Sequence, residues 1–505
     1  MNAAAAEQPL SGFRIVDFGS HLAGPLAAML LADAGAEVVH VDPPAYERAD
    51  WTAVVNRSKH NIELDLNTAD GRAAAEHLIA GAGLVIESFR PGVMDRPGLG
   101  AAEMMAAHRG LVYCSVSGFP ADDPRAGSRG WDQIVSAVVA AHSVVAALIG
   151  RERDGAGQRV ISTLYDAAFE IIGHEFHSAG LHAPGSGFKP PTKPGTGHYV
   201  CADGRWIHLC LFDDRHLRWF GDTFAPGLAD DGWFDGDALR AAPEKQDQLL
   251  EKMVALLLTR PAAEWERLIN EASGAPAAVC QTAFEWLTDD AHARASGTVI
   301  ELDDPLLGPT IQLGYAFNLS KAPPIARPRT FGTPPPWPPR PAAAHGAAVK
   351  RPPLDGIRVV DFTQVLAGPT CGRILADYDA SVIKVNKPSD RGIPWHGWIN
   401  RGKQSILLDI GSPLASPVLD QMIARADVVS QNFALGVADR LGIGEAAVRQ
   451  LRPDAIYSSI SAFGNEGYRK AWRGREELGQ ALTGCKPFGP TRPVSHRCSC
   501  SPSAM

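Results

Sequence analysis

Residues 10–39 read LSGFRIVDFGSHLAGPLAAMLLADAGAEVV, and residues 354–383 read LDGIRVVDFTQVLAGPTCGRILADYDASVI. The two stretches are identical at 15 of 30 positions at a fixed offset of 344. An internal repeat of this quality constrains the architecture before any single residue does. The register continues without a gap: Asn56, Arg57 and Lys59 return as Asn400, Arg401 and Lys403, Asp65 as Asp409, Phe89 as Phe433, and Tyr113 as Tyr457. Each copy opens with an apolar run, RIVDF or RVVDF. A Gly-Pro turn, an Ala/Leu-rich helical run and a second apolar run, EVVHVD or SVIKVN, follow. Strand, helix and strand in that order make a βαβ unit with parallel neighbours. Further strand-like runs occur at NIELDL, LVIES and LVYCSVS. The expected fold class is α/β: an open, doubly wound Rossmann-like parallel sheet with a smaller α+β domain, followed by a partial second Rossmann-like copy.

The boundaries follow from composition. Residues 10–195 form the first large domain, and 196–310, with β-like runs around the Asp203-Gly204 turn and then helical runs, form the small α+β domain. Residues 311–330 return to the large domain. The proline-dense stretch at 331–352 reads as a linker, because proline removes backbone donors and favours extended chain. Residues 353–484 form the second copy and 485–505 an irregular tail with neither strand nor helix periodicity. Adding 344 to Asp166 gives 510, beyond the last residue, so the second copy reads as truncated and the tail as an abnormal, frame-shifted ending.

Bulk properties exclude several classes. With 48 basic and 56 acidic residues and no basic stripe, nucleic acid is not an expected partner. MNAAAAEQPLSG lacks a basic start and a continuous apolar core, so the expected location is cytoplasmic. VSAVVAAHSVVAALIG is apolar but short and interrupted by His142, which predicts a buried helix rather than a membrane span. The cysteines from Cys114 to Cys371 are scattered singly and read as reduced core thiols.

Four groups of residues could carry chemistry. The turn Leu22, Ala23, Gly24 and Pro25 joins a strand to a helix N-terminus, a geometry that binds anions as readily as it makes a plain tight turn. No GxGxxG or GxxxxGK[ST] is present, which argues against a dinucleotide fingerprint and a P-loop. Arg57 and Lys59 put two cations just ahead of a strand, suited to a phosphorylated ligand or to a solvated loop. Asp166, in ISTLYDAAFEII (161–172), is either a helix-start residue that complements the dipole or a carboxylate nucleophile. His174 and His177 share a helix face but lack a third ligand, so no metal site is expected.

The ordered set VDFxxxLAGP, NRxKxxIxLDL, SFRPGVMDRPGLG, GQRVxSTLYDAAFE, the ADG turn and the stretch Gly274–Val279 resembles the class III CoA-transferases. The resemblance spans residues 10 to about 331 and again 354 to about 484. It implies that Asp166 is the nucleophile, and that CoA moves from an acyl-CoA donor to a small carboxylic acid through a mixed anhydride and an aspartyl-CoA thioester. It also implies that the LAGP turn, Arg57, Lys59, Phe89 and Arg90 line the CoA site, with Gly185 and Gly187 in a loop that closes over the intermediate. Coenzyme A and acyl-CoA would be substrates, with no permanently bound cofactor. Assembly would be a homodimer or an intramolecular pairing of the two copies. Two alternatives stay open: an acyl-CoA racemase or isomerase of the same fold, disfavoured because Trp131 in GWDQ stands where such enzymes carry a histidine, and an inactive remnant.

Overall fold

The computed structural model describes residues 8–46, 48–128, 134–167, 194–211, 214–272, 275–315, 317–341, 351–389 and 396–484. In chain order the first copy runs β1 (Arg14–Phe18), α1 (Ala23–Asp33), β2 (Glu37–Asp42), α2 (Thr52–Val55), β3 (Lys59–Glu63), α3 (Ala69–Gly81) and β4 (Leu84–Glu87). It continues with α4 (Ala101–Ala107), β5 (Val112–Ser117), α5 (Ile134–Asp154) and β6 (Arg159–Thr163). After the small domain's β7 (Thr196–Val200), β8 (Trp206–Cys210) and β9 (Ala277–Val279) come β10 (Val299–Asp304), β11 (Gly308–Leu313) and β12 (Thr330–Phe331). The second copy supplies β13 (Arg358–Asp361), β14 (Ser381–Asn386), β15 (Gln404–Leu407), β16 (Val428–Gln431) and β17 (Ile456–Ser459).

The first sheet has the order β12-β3-β2-β1-β4-β5-β6, and every pairing in it is parallel. Its central strands are buried along nearly their whole length, as parallel strands covered on both faces must be. On one face α1 and α5 meet through Ala27, Ala28, Ala137, Ala140 and Val144, small residues that let the two helices approach closely over the sheet. The apolar run Val135–Asp154 is long and apolar enough to cross a membrane by composition, but half of it is buried here. On the other face α3 and α4 pack over Val16, Val39, Val85 and Tyr113.

The proline-rich stretch departs from a free linker over its first part. β12 pairs with β3, Trp337 is buried beneath α3, its indole N–H donates to Glu37 (3.2 Å), and the Arg340 amide donates to Ala80 O (2.8 Å). Proline keeps this segment extended, and the tryptophan gives it an apolar anchor that fixes residues 330–340 on the first sheet.

The second copy builds a five-stranded parallel sheet in the order β15-β14-β13-β16-β17, which is the order β3-β2-β1-β4-β5 moved by 344 residues. The described residues fall into two compact units that cut across the domains read from sequence. Those before Leu181 and those from Gly297 to Ile460 form one; those between His182 and Ser296, with Ser461 onward, form the other. Thus the β10–β11 hairpin belongs with the parallel sheets rather than with the small domain, and the two copies share a unit. There the Tyr378 hydroxyl meets His142 Nδ1 (2.9 Å) and Ser143 Oγ (2.7 Å).

In the other unit, the antiparallel sheet β7-β8-β9 packs on helices that bury Phe220, Phe234 and Trp265. Leu478 and Leu482, from the second copy, join Cys210 and Ala278 in a separate apolar cluster. Arg469 is buried there against Asp290 (2.7 Å) and Glu266 (3.7 Å).

Candidate active site

A cavity of about 240 Å³ opens at the carboxyl ends of β1, β2 and β3, the end at which open parallel sheets bind ligands. Phe18, Leu64 and Phe89 make apolar walls; the polar groups along them include Ser20, His40, Asp42, Asn56 and Asp65. The β1–α1 turn is drawn tight from below. Asp17 accepts from the Gly19 amide (2.7 Å), and the Ser20 amide donates to Ser88 Oγ (2.7 Å) at the end of β4. A Cβ on Gly24 would lie 3.0 Å from Gly19 Cα and 3.1 Å from Ser88 Cβ, so a larger residue here would have to push the turn and Ser88 slightly apart. His21 in this turn has φ 60°, an unusual conformation for a residue with a side chain. Of the LAGP residues only Pro25 reaches the cavity; Ala23 and Gly24 are buried in the first turn of α1, and Leu22 is its N-cap.

The two cations predicted to meet phosphate do something else. Lys59 is buried and donates to Asp17 Oδ2 (2.8 Å), Pro25 O (2.8 Å) and Asn56 Oδ1 (3.0 Å). Arg57 is buried against Asp33 (2.7 Å), and its guanidinium also donates to the carbonyls of Leu313 and Gly314. A cation so paired in the interior offers no net charge to a ligand, and from the NRSK motif Asn56 alone lines the cavity. Lys59 thus ties the LAGP turn to β3, and Arg57 ties the turn before β3 to the end of α1 and to β11, whereas the family resemblance implied that both line the CoA site. Phe89 does line the cavity, whereas Arg90 is exposed beside it and donates to Gly127 O (3.2 Å).

Beneath the cavity lies a charged chain that the sequence reading missed. His40 Nδ1 meets Asp17 Oδ2 (2.9 Å), His40 Nε2 meets Asp42 Oδ1 (3.2 Å), and Asp42 Oδ2 accepts from Arg48 Nε (2.9 Å). Burial pulls the His40 imidazole down, but the Asp17 carboxylate and the bonds to Asp17 and Asp42 outweigh it, so His40 lies above its ordinary value. Burial likewise opposes ionisation of Asp17; Lys59 and His40 prevail and hold it well below the usual carboxylate range. The period-2 alternation of EVVHVD, with His40 and Asp42 on one face, was the available signal.

Asp166 sits just past the carboxyl end of β6 and is exposed. A helix begins at Leu164. Thr163 caps it, accepting from the Asp166 amide (2.9 Å) while its hydroxyl donates to Asp166 Oδ2 (2.7 Å). The pattern Thr-x-x-Asp places an acid at the third helical position, so the helix-start reading is realised in the geometry. The same bonds fix the carboxylate on the carboxyl edge of the sheet that carries the cavity, without lining that cavity. With β4 and β5 between β1 and β6, three strand spacings separate those strands, roughly 14 Å. Tyr165, next to Asp166, stacks with the Arg125 guanidinium (4.9 Å), which lies over Phe119 (4.4 Å) and pairs with Asp123 (2.8 Å). Gly185, Gly187, His174, His177 and Trp131 lie outside the described residues. Among the described residues no group of three or more His, Cys, Asp or Glu is arranged to hold a metal ion.

The model of CoA-transferase family III matches residues 10–138, 133–332 and 354–496. The chain belongs to CoA-transferase family III. Both copies fall within the matched residues, and the enzyme class, CoA transfer, follows from membership. The CoA-transferase/lyase DddD of Marinomonas sp. is 26% identical over 97% of this chain and 70% of its own length. The succinyl-CoA–D-citramalate CoA-transferase of Chloroflexus aurantiacus is 29% identical over 64% of this chain and 90% of its own. The crystal structure of Rv3272 from Mycobacterium tuberculosis shares the fold, with a TM-score of 0.54, 23% identity and coverage of 64% of this chain and 97% of that one. A CAIB/BAIF family protein from Brucella suis does so at a TM-score of 0.51 and 23% identity, over 64% of this family III chain and 96% of its own.

Proposed function

We propose that this chain moves CoA from an acyl-CoA donor to a small carboxylic acid by covalent relay through Asp166. The observation that carries the reading is the shared sheet edge: an exposed, hydrogen-bonded carboxylate after β6 and a nucleotide-sized cavity after β1–β3. The cavity takes adenine and ribose between Phe18, Leu64 and Phe89, the phosphates lie outside it toward the exposed Arg90, and the pantetheine arm runs along the strand ends to Asp166.

The Asp166 carboxylate attacks the donor thioester carbonyl; the C–S bond breaks, leaving a mixed anhydride and CoA thiolate. The thiolate then attacks the aspartyl carbonyl, giving an aspartyl-CoA thioester and the free donor acid. The acceptor carboxylate attacks that thioester and releases the thiolate again, which takes the acceptor's acyl group and returns Asp166 as carboxylate. Every step exchanges one acyl bond for another, so neither water nor an oxidant is consumed. The helix that starts at Leu164 presents its positive end to the oxyanion developing beside Asp166.

Incubation with an acyl-CoA donor and hydroxylamine tests the relay. A hydroxamate on Asp166, absent from Asp166→Ala, supports it; exchange of the substrate α-proton without any adduct would point to a racemase instead. The packing of both copies into one unit around Tyr378 favours pairing of the copies within the chain over a homodimer. Sedimentation at micromolar concentration distinguishes the two.

A further inference from the structure

Residues 463–472, FGNEGYRKAW, belong to the second copy in sequence and lie in the same compact unit as the small domain. Their contact with it is built around one imidazole. His292, in the helix Ala291–Ala295, is buried, and both of its ring nitrogens bond to this segment's backbone. Nε2 meets the Phe463 carbonyl (3.0 Å), and the Arg469 amide reaches Nδ1 (3.3 Å). A carbonyl only accepts and an amide N–H only donates, so the ring carries its proton on Nε2 and leaves Nδ1 bare. The neutral imidazole is the form that fits. The Phe463 and Tyr468 rings meet it edge-on, at 5.8 and 5.5 Å. Gly467 leaves the space for it: its φ is 79°, and a Cβ there would collide with His292 Nδ1.

The charges nearby make a second proton on the ring costly. Arg469 is buried beside it, paired with Asp290 (2.7 Å) and, from the helix Ala262–Glu271, with Glu266 (3.7 Å). Burial pushes His292 below its ordinary value and the Arg469 guanidinium adds to the push; the Phe463 bond and Asp290 offset only part of it. Burial opposes ionisation of Asp290 and Glu266 too; Arg469 prevails at Asp290, which is lowered, and not at Glu266, which is raised. Tyr468, pushed up to about 12 by burial, stays neutral.

The matching segment of the first copy is built otherwise. Subtracting 344 puts Asp123 at the position of Gly467 and Arg125 at that of Arg469. Arg125 pairs with Asp123 (2.8 Å) and stacks on Phe119 and Tyr165. Seating a histidine is thus peculiar to the second copy's segment.

We infer that this contact is an acid-sensitive latch, in which protonation of His292 at Nδ1 frees residues 463–472 from the small domain. The added proton removes the acceptor of the Arg469 amide and sets a second cation against the Arg469 guanidinium. The docked imidazole takes a proton less readily than a free one. The contribution of the latch is therefore present above about pH 6.5, the free value, and is lost as pH falls from there toward the lower docked value. Protonation of Asp290 or Glu266 loosens Arg469 in the same direction, so the histidine has to be tested by itself. The inference is independent of the relay through Asp166.

Hydrogen exchange of the full chain between about pH 7.5 and about pH 5, corrected for the intrinsic pH dependence of exchange, tests it. Protection over residues 463–472 should drop by up to about tenfold per pH unit below about pH 6.5, while protection over β7 and β8 holds. His292→Gln keeps a donor and an acceptor but takes up no proton, so it should retain the protection and lose the drop. Gly467→Ala leaves every small-domain residue in place and should free the segment at all pH values, which keeps the test decisive if His292→Gln does not fold. Protection over 463–472 that is independent of pH in the parent overturns the inference. So does an unchanged drop in His292→Gln, which would assign the effect to Asp290 or Glu266. A Gly467→Ala chain that keeps both protection and drop, or a loss shared equally by β7 and β8, overturns it as well.

Discussion

The two copies hold the same buried lysine in the same cradle yet surround it differently. Lys403 donates to Asp361 (2.8 Å), Pro369 O (2.7 Å) and Asn400 (3.1 Å), matching Lys59 on Asp17, Pro25 O and Asn56 to within about 0.1 Å. Around that cradle the copies diverge. Asp17 carries His40 as a second partner, whereas at the equivalent position Lys384 turns to the Thr363 carbonyl and Thr363 Oγ1 donates to Asp361 (2.5 Å). Arg57 is buried and ties β3 to the chain at Leu313 and Gly314; Arg401 pairs with Asp377 (2.9 Å) with its side chain 58% exposed. What is common to both copies serves the turn. What differs sets the charge around each turn and how firmly it is tied to the rest of the chain.

The largest expected effect belongs to Asp166 in the first copy. Asp166→Ala should lower CoA transfer by at least about 1,000-fold while leaving binding of the nucleotide end unchanged, measured by steady-state kinetics and hydroxylamine trapping. Normal turnover in that variant would sink the covalent relay.

Lys59→Met and Lys403→Met each leave a buried aspartate without its lysine, and each should cost about 3–5 kcal/mol. Hydrogen exchange followed separately over β1–β2 and β13–β14 reads the two costs. A difference well above about 1 kcal/mol would show that the cradles are not equivalent, since a pair matched in geometry and burial should be matched in energy.

The arginines should separate sharply. Arg57→Ala strands the buried Asp33 and two carbonyls, and is expected to cost about 3 kcal/mol or more. Arg401→Ala removes an exposed pair and should cost under about 1 kcal/mol. Urea unfolding of both variants checks the ordering.

The smallest effect is a slope. His40 is raised in the folded state, so its contribution is fully present below about pH 6.5, its unfolded value, and is lost as pH rises through the higher folded value. Exchange protection over β1–β2 should therefore fall as pH rises above about 6.5 in the parent, and this part of the slope should vanish in His40→Gln. Protection over β13–β14, where Lys384 replaces His40, should lack it. Identical slopes in the two copies would remove His40 as the cause.

Much of the fold was legible because its determinants are local or repeated. The βαβ order, the parallel sheets and the register of the second copy all follow from apolar runs and an unbroken offset. Sequence was a poorer guide to the direction of charge. NRSK has the composition of a phosphate-binding loop, and only the inward turn of Lys59 onto Asp17, 42 residues away, shows that its cations are structural. The converse holds for His40 and Asp42, read simply as strand residues, which form the charged floor of the cavity once β1 and β2 lie side by side. The proline stretch misled in a similar way, since Trp337 finds its pocket under α3 only after the chain has returned to the sheet.

Sequence by itself determined that two copies of one α/β unit are present and that the two strands of each opening βαβ unit are parallel neighbours. These are statements about order along the chain, and periodicity and repeats record order directly. Tertiary structure alone decided which charges face a cavity and which face each other, that the small domain receives Leu478, Leu482 and Arg469 from the second copy, and that both copies open a pocket at the same sheet edge. The physical reason is that a side chain's charge is usable only if nothing nearby neutralises it. The neutralising partner can lie dozens or hundreds of residues away, as Asp290 does from Arg469.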